Sequence, residues 1–494
     1  MPDDDPRSSS FAVAFKEFID AMNAEAAKET TPLFDRLREY LGTDPTKAQV
    51  VAEEFDNWEH PNIQVALDAV LSKPPRRSEL IGIAAQNKRF GGVTFSDLLS
   101  AGGPWGRPLS EGAVDYVNFH LENDKVLTCV QYGLFLVTDG DDRFTVYIAG
   151  PPSAQMGPQS RMRIEIAGAR RDRAASLLKE ITAAMRERNV YRGNAISLAP
   201  GQFGVQGLVK FHRLPRISRT DIVLPDGLLE RIERQTVGFS AHADELLAAG
   251  RSLKRGMLLY GPPGTGKTLT VMYLATQMPG RTLLLTTGHG LGMIGTVGQF
   301  ARSLAPATVV VEDVDLIAQE RGYPGMPTQP LLFELLNQLD GLADDADVLF
   351  VLTTNRPDIL EPALAARPGR VDLVVEMPMP DAAARHRLID LYARGMRLKD
   401  VDLDRLVERT DGASPAYIKE LLRKAALFAA LAGSANTVDQ SHLDAGMAEL
   451  EAGGELAKRI VGFGSAGFLP PSPAVGPMRP AIPNVQLMCY AFGL

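Results

Sequence analysis

Apolar positions near the start of the chain recur at helical intervals. Phe11, Phe15 and Phe18 are spaced by four and three residues, and "AQVVAEEFDNW" (48–58) continues in the same manner, so the pattern predicts a helical segment over 1–75. Further on the period shortens. "VDYVNFHL" (114–121), "KVLTCVQYGLFLVTDG" (125–140) and "RFTVYIAG" (143–150) predict strands, with "DGDD" as a turn between the last two. "RMRIEIAGA" (161–169) adds a strand and "RDRAASLLKEITAAMRER" (171–188) a helix, which together make an α+β domain over 76–205. Asp115 and His120 lie close in this stretch without a third member, and they read as ordinary polar positions.

After a linker over 206–219 the rhythm becomes strand, helix, strand. "MLLYG" (257–261), "TLLLTT" (282–287), "TVVVEDVD" (308–315), "VLFVLTTN" (348–355) and "DLVVEM" (372–377) are continuous apolar runs separated by helical segments. Runs of that kind predict a parallel sheet covered on both faces, an α/β domain over 220–380. From 381 to 460 the pattern is helical: Ser414 is the expected N-cap of a helix whose Ile418, Leu421, Leu422 and Ala425 form one apolar stripe. The stretch 461–494 is rich in Gly and Pro and predicts a disordered or loosely attached tail.

A chain of 494 residues is too long for one core. Hydrophobic residues at 45% and charged ones at 23% are ordinary for a soluble protein, and a net charge of −8 counts against nucleic acid as the main partner. Two distant cysteines, Cys129 and Cys489, form no metal or disulfide framework, which fits a reducing compartment. The opening "MPDDDPRSSS" is acidic and polar, unlike a secretory signal, and runs such as 126–137 are too short for a bilayer. The expectation is a cytoplasmic protein with no membrane partner.

The candidate chemistry lies in the second half. "GPPGTGKT" (261–268) follows directly on an apolar strand and opens a helix. Glycines there let successive N–H groups turn inward onto phosphate oxygens, a lysine reaches the terminal phosphates, and a hydroxyl ligates Mg²⁺. Gly261, Pro262, Pro263, Gly264, Thr265, Gly266, Lys267, Thr268 and Leu269 are the expected phosphate-binding set for ATP, with Lys267 and Thr268 in those two roles. A second strand should bring acids to the metal and to water. "VVVEDVD" (309–315) does so: if Val311 is the last buried residue, Glu312 takes the metal-facing place and Asp313 the water-facing one.

"GPPGTGKT", "EDVDLIAQERG", "LLNQLDGL" (335–342), "LTTNRPDILEPALAARPGRVD" (352–372) and "TDGASPAYIKELLRKAA" (410–426) together resemble the AAA ATPases, in the branch of the proteasomal and membrane-fusion members. The resemblance covers roughly 220–450. It implies a P-loop sheet with a helical lid, Mg²⁺-dependent ATP hydrolysis, and a homo-oligomeric, hexameric ring. It also implies roles: Asn355 as the polar sensor of the γ-phosphate, Arg367 and Arg370 as fingers acting on a neighbouring subunit, and Val237 and Gly238 in "TVGF" as the segment that packs on adenine.

Three departures stand out. The acid pair is Glu-Asp where the family's usual order is Asp-Glu, a variant that keeps both carboxylates. The loop after the second strand reads "GLGMIGTV" (290–297), with Met293 and Ile294 before Gly295 where threading members carry an aromatic. These three residues are the expected channel-facing set. The chain ends "CYAFGL", unlike the proteasomal members, and no "HExxH" occurs in it, so any protease would be a separate partner. The leading expectation is a ring ATPase that remodels protein clients recruited by the N-terminal region. The alternatives are a nucleotide-gated scaffold or switch, and third a DNA-associated ATPase.

Overall fold

The computed structural model describes residues 13–18, 31–84, 94–99, 110–150, 161–198, 209–286, 293–315, 334–335, 337–339, 341, 345–360, 371–434, 436–452 and 462–463. The chain divides into two compact units. One comprises 1–219, 230–260 and 268–375, the other 220–229, 261–267 and 376–494.

After a short exposed helical stretch at 13–18, where the first apolar spacing predicts one, the first unit forms α1 (Pro32–Leu41), started by Thr31, whose side chain accepts from Phe34 N, and stopped by Gly42 in the left-handed region (φ 71°). It is followed by β1 (Gln49–Asp56), α2 (His60–Leu71), β2 (Arg77–Ala84), β3 (Ser110–Gly112), β4 (Asp115–His120), β5 (Val126–Asp139), β6 (Asp142–Ala149), β7 (Arg161–Gly168) and α3 (Arg171–Glu187). The sheet runs β1-β7-β6-β5-β2-β3, with β4 also paired to β5. Its two faces are both buried. Val146 and Ile148 pack with Ile63 and Leu67 of α2 and Ile181 of α3. Tyr147 and Ala149, one residue out of phase, pack with Leu33 and Leu37 of α1.

The strands expected over 114–169 and the helix at 171–188 are present, and so is the turn at 139–142. The helical segment expected over 1–75 is not continuous. "QVVAEEFD" forms β1, which pairs antiparallel with β7 along its whole length, Gln49 opposite Gly168 and Asp56 opposite Arg161. Here cross-strand pairing overrides the helical preference of Ala and Glu, and Val51 and Phe55 pack against the sheet core.

The same unit holds the second sheet: β8 (Ala195–Leu198), β9 (Val209–His212), β10 (Arg255–Tyr260), β11 (Thr282–Thr286), β12 (Ala307–Val311), β13 (Val348–Thr354) and β14 (Leu373–Glu376). Their order is β14-β10-β13-β12-β11-β8-β9. β10 with β13, β13 with β12, β12 with β11 and β11 with β8 are parallel pairs. Every residue of β12 and β13 is buried, which explains their unbroken apolar sequences. Helices α4 (Leu228–Glu233), α5 (Lys267–Thr276) and α6 (Ile294–Ser303) belong to this region.

The boundary expected at 205 and the linker over 206–219 need correction, because β8 and β9 extend the sheet past β11. Ala195, Ile196 and Leu198 of β8 are buried, and β8 covers backbone groups that β11 would otherwise leave open, with β9 as the edge strand beyond it. Tyr191 ties the same stretch to the N-terminal region. Its hydroxyl donates to the Trp58 carbonyl at 2.6 Å, and its ring lies 5.5 Å from that of Phe300 on α6.

The second unit holds the helices expected over 381–460: α7 (Ala382–Tyr392), α8 (Leu403–Arg409), α9 (Pro415–Leu431) and α10 (Gln440–Glu451). Ser414 caps α9 by accepting from Tyr417 N at 3.2 Å, and Ile418, Leu421, Leu422 and Ala425 are all buried, as the stripe predicts. A two-residue parallel pair, Arg397–Leu398 with Thr437–Val438, was not expected. Of the tail only 462–463 are described. They are attached: Gly462 O accepts from Ser414 N at 2.9 Å, and the Phe463 ring lies 4.8 Å from Tyr417.

Candidate nucleotide-binding elements

The acid pair stands where β12 stops. Val311 is fully buried and ends the strand, Glu312 and Asp313 are half-buried, and burial resumes at Val314 and Asp315, so Val311 is not the last buried residue of the run. Asp313 has φ 50°. A carboxylate on a short stem tolerates the left-handed region better than most residues, and this turn breaks the strand at the acids. The reversed order therefore places the shorter acid where the backbone asks for it.

Two neighbours hold Asp313. Its N–H donates to Thr353 Oγ1 at 3.1 Å, and Asn355 Nδ2 donates to its Oδ1 at 3.2 Å. Asn355 follows β13 directly, and in the parallel register Val311 lies opposite Leu352 and Tyr260 opposite Thr354. The acids, Asn355 and the end of β10 therefore share the carboxyl edge of the sheet, where open α/β sheets bind ligands. Asp315 went unassigned in the sequence reading. It is 6% exposed and accepts from Thr354 Oγ1 at 2.8 Å and from Asn355 N at 3.3 Å, so it fixes the backbone that carries the sensor. The signal was the third acid of "VVVEDVD".

Glu312 differs from Asp313. Its N–H donates to Thr286 O at 3.2 Å, but its Oε1 is buried without a hydrogen-bond partner among the described residues. A buried, unpartnered carboxylate oxygen suits a hard cation. No group of three or more His, Cys, Asp or Glu side chains among the described residues could hold a metal. Mg²⁺ needs none, because it keeps several waters and takes other ligands from phosphates, with one carboxylate and one hydroxyl from the protein. Glu312 and the exposed Thr268 would be the residues to hold it.

The phosphate loop leaves β10 after Tyr260. Gly261, Gly264 and Gly266 have φ of 149°, 79° and 94°, and a Cβ on Gly264 would lie 2.8 Å from Ser414 Oγ and 2.9 Å from Ala416 Cβ. Only glycine fits that turn and that approach. Ala416 N, in the first turn of α9, donates to Gly264 O at 3.2 Å. Lys267 is buried, and its Nζ donates to the carbonyls of Gly261 and Pro262, both at 2.8 Å. Thr265 Oγ1 donates to Pro262 O at 2.9 Å and holds the curl. Pro263 and Leu269 are exposed.

Val237 and Gly238 lie in a widened, π-type turn, Arg234–Gly238, in which Phe239 N donates to Arg234 O. Such turns are rare and concentrate at functional positions. Arg367 and Arg370 lie outside the described residues.

The expected channel-facing set is corrected. Ile294 is 1% exposed and belongs to the core with Val297, Phe300 and Leu335, and Met293 packs partly buried against the same cluster. Gly295 follows in the first turn of α6, where a Cβ would lie 3.3 Å from Glu334 Oε1. The cause is the helix itself. Ile294, Val297, Phe300 and Ala301 form one buried stripe, and position 294 is its first member.

Residues 257–379 match the family described as "ATPase family associated with various cellular activities (AAA)". They form an AAA ATPase domain. Residues 400–445 match the AAA+ lid domain. The chain is 33% identical over 242 residues to an ATP-dependent zinc metalloprotease FtsH of Acaryochloris marina, covering 46% of this chain and 37% of that protein. It is 32% identical over 247 residues to the chloroplastic ATP-dependent zinc metalloprotease FTSH 1 of Arabidopsis thaliana, covering 47% and 34%. It is 34% identical over 210 residues to FtsH 3 of a Synechocystis species, covering 40% and 34%. The chain thus spans little more than a third of the length of these relatives. Their names include a zinc protease activity, whereas no "HExxH" occurs in these 494 residues. Among the described residues no helix is long and apolar enough to cross a membrane.

Proposed function

We propose that this chain is a Mg²⁺-dependent ATPase that works as a homo-oligomeric ring, a hexamer, on protein clients. The observation that carries the reading is the Asn355–Asp313 hydrogen bond at the carboxyl edge of the sheet, 3.2 Å long. It gives the acid pair a division of labour that matches the reversed order. Asp313, oriented by Asn355 and Thr353, takes the proton of the attacking water. Glu312, whose Oε1 has no partner among the described residues, serves Mg²⁺ together with Thr268. Mg²⁺, when bound, neutralises charge that develops on the phosphates. Lys267 exchanges its two loop carbonyls for the terminal phosphates, and Asp315 keeps Asn355 in place. Arg367 and Arg370 act on the nucleotide of the adjacent subunit, which makes the ring necessary for turnover.

Protein clients are the part of the proposal supported by the relatives, which are named as ATP-dependent proteases. One observation favours a second reading, a nucleotide-gated switch that does not thread its partner: Ile294 is in the core, so of the expected channel-facing residues only Met293 keeps a partly exposed apolar side chain. The ATPase rate of the full chain, alone and with an unfolded protein or with DNA, separates these readings. Stimulation by unfolded protein supports remodelling, an unchanged rate supports the switch, and stimulation by DNA alone overturns both.

A further inference from the structure

The phosphate loop is braced by a part of the chain that neither family match covers. The matched segments are 257–379 and 400–445, and Gly462 and Phe463 follow both. They lie against the start of α9. Ser414, the cap of that helix, is fully buried, and two glycines approach its side chain. A Cβ on Gly264 of the loop would lie 2.8 Å from Ser414 Oγ, and a Cβ on Gly462 would lie 2.2 Å from the same atom. Gly462 has φ 89°, and its Cβ position is 3.9 Å from Pro263 O, so this backbone runs beside the loop itself. Backbone and side chain both hold it there. Ser414 N donates to Gly462 O at 2.9 Å, and Phe463 forms an antiparallel bridge with Ala413. The Phe463 ring lies 4.8 Å from that of Tyr417 and packs, partly buried, against the helical core that includes Ile418 and Leu421.

The first turn of α9 in its turn holds one peptide of the loop. Ala416 N, among the first N–H groups of the helix, has no carbonyl within the helix and donates to Gly264 O at 3.2 Å. A trans peptide is planar, with its C=O and N–H pointing in opposite directions. Gly264 O and the Thr265 N–H share one such plane, so a carbonyl turned toward α9 turns the Thr265 N–H away from it. Thr265 is buried, and its hydroxyl is tied to Pro262 O. A phosphate binds the N–H groups that a curled loop turns inward, and a flipped peptide would present it with a carbonyl oxygen instead.

We infer that Gly462 and Phe463 are positioning residues for ATP binding: they seat Ser414 and the first turn of α9, through which Ala416 keeps the Gly264–Thr265 peptide with its N–H toward the phosphates. Gly462 supplies the close approach, because any side chain there would meet Ser414. Phe463 supplies the anchor, because its ring ties the segment to Tyr417. The inference rests on the nucleotide reading above and deepens it by bringing two residues beyond the lid match into the support of the phosphate loop.

The test uses the full chain with Phe463→Ala, which removes the ring beside Tyr417 and leaves the loop and the acid pair as they are. Affinity for a fluorescent ATP analogue is measured together with the thermal midpoint without nucleotide and kcat at saturating ATP. The expected result is a folded protein whose ATP affinity falls about five- to tenfold, the scale of one hydrogen bond, with kcat retained. Phe463→Tyr, which keeps the ring, should restore wild-type affinity. Phe463→Leu should fall between the two, and it decides the matter if Phe463→Ala does not fold. Gly462→Ala is the steric counterpart: its Cβ displaces Ser414, so affinity should fall by about tenfold or more, and adding Ser414→Gly, which vacates the space, should recover part of the loss. Wild-type ATP affinity in a folded Phe463→Ala or Gly462→Ala protein, whatever its thermal midpoint, would overturn the inference, because a contact that only supports the lid lowers stability without changing affinity. Lys267→Ala is the control: wild-type binding that this change abolishes keeps the nucleotide reading intact, so a null result at 462 or 463 then counts against the brace alone. A wild-type chain that does not bind the analogue overturns both.

Discussion

Replacing Ile294 by Ala separates a core role from a channel role. The side chain is 1% exposed and starts the buried stripe of α6, where it meets Val297, Phe300 and Leu335. The substitution removes three buried carbons from a closely packed cluster, and such changes cost about 2–5 kcal/mol through lost transfer energy and the residual cavity. A value of about 3 kcal/mol lowers the melting midpoint by roughly 6–12 °C in a domain of this size. Met293→Ala should cost well under half as much, because that side chain is only partly buried. Urea unfolding followed by tryptophan fluorescence suits the measurement, since Trp58 lies 5.8 Å from Phe300 in the same cluster and reports directly on it. An Ile294→Ala protein with wild-type stability that has lost only its response to a client would refute the core assignment and restore a channel-facing loop.

Other substitutions address the remaining polar groups. Asp347→Asn leaves Arg255 and Arg281 facing each other without their carboxylate, and urea unfolding should show a loss of about 3–5 kcal/mol. Asp315→Ala removes the acceptor of Thr354 Oγ1 and Asn355 N, so steady-state kinetics should show turnover about tenfold lower with ATP affinity kept; equal losses in both would mean that Asp315 only supports the fold. His60 is buried, its Nε2 on the Val130 carbonyl at 2.8 Å, and burial lowers its pKa to about 4. The unfolded chain therefore binds a proton that the folded chain refuses between pH 6.5 and 4, and stability falls as the pH drops through that window by up to about 3 kcal/mol. Unfolding of wild type and His60→Gln across pH 4–7 checks this, and parallel curves would contradict it.

The parallel sheet and the phosphate loop were legible because both are local: apolar runs five to eight residues long, and glycines that only one kind of turn uses. The end of the strand at Val311, with two half-buried acids after it, was legible in the same way. What stayed hidden depends on distant partners. β1 is a strand because β7 lies beside it, and "QVVAEEFD" alone carries helix formers. β8 and β9 are short and gain their identity from β11, so the domain boundary drawn at 205 cut through a sheet. Ile294 misled for a related reason, since a loop motif and a helix start share the same residues and only packing shows which face the side chain takes. The role of Asp315 rests on hydrogen bonds to residues 39 and 40 positions away, which no spacing rule reports.

The central claim is that the reversed acid pair is a working one, with Asp313 facing water. Its most direct test measures ATP binding and single-turnover hydrolysis on the same preparation of Asp313→Asn. The account predicts that ATP and Mg²⁺ still bind, because Lys267, Thr268 and Glu312 are untouched, while hydrolysis falls by about a hundredfold or more. Near-normal hydrolysis by Asp313→Asn, with Glu312→Gln inactive instead, would contradict it.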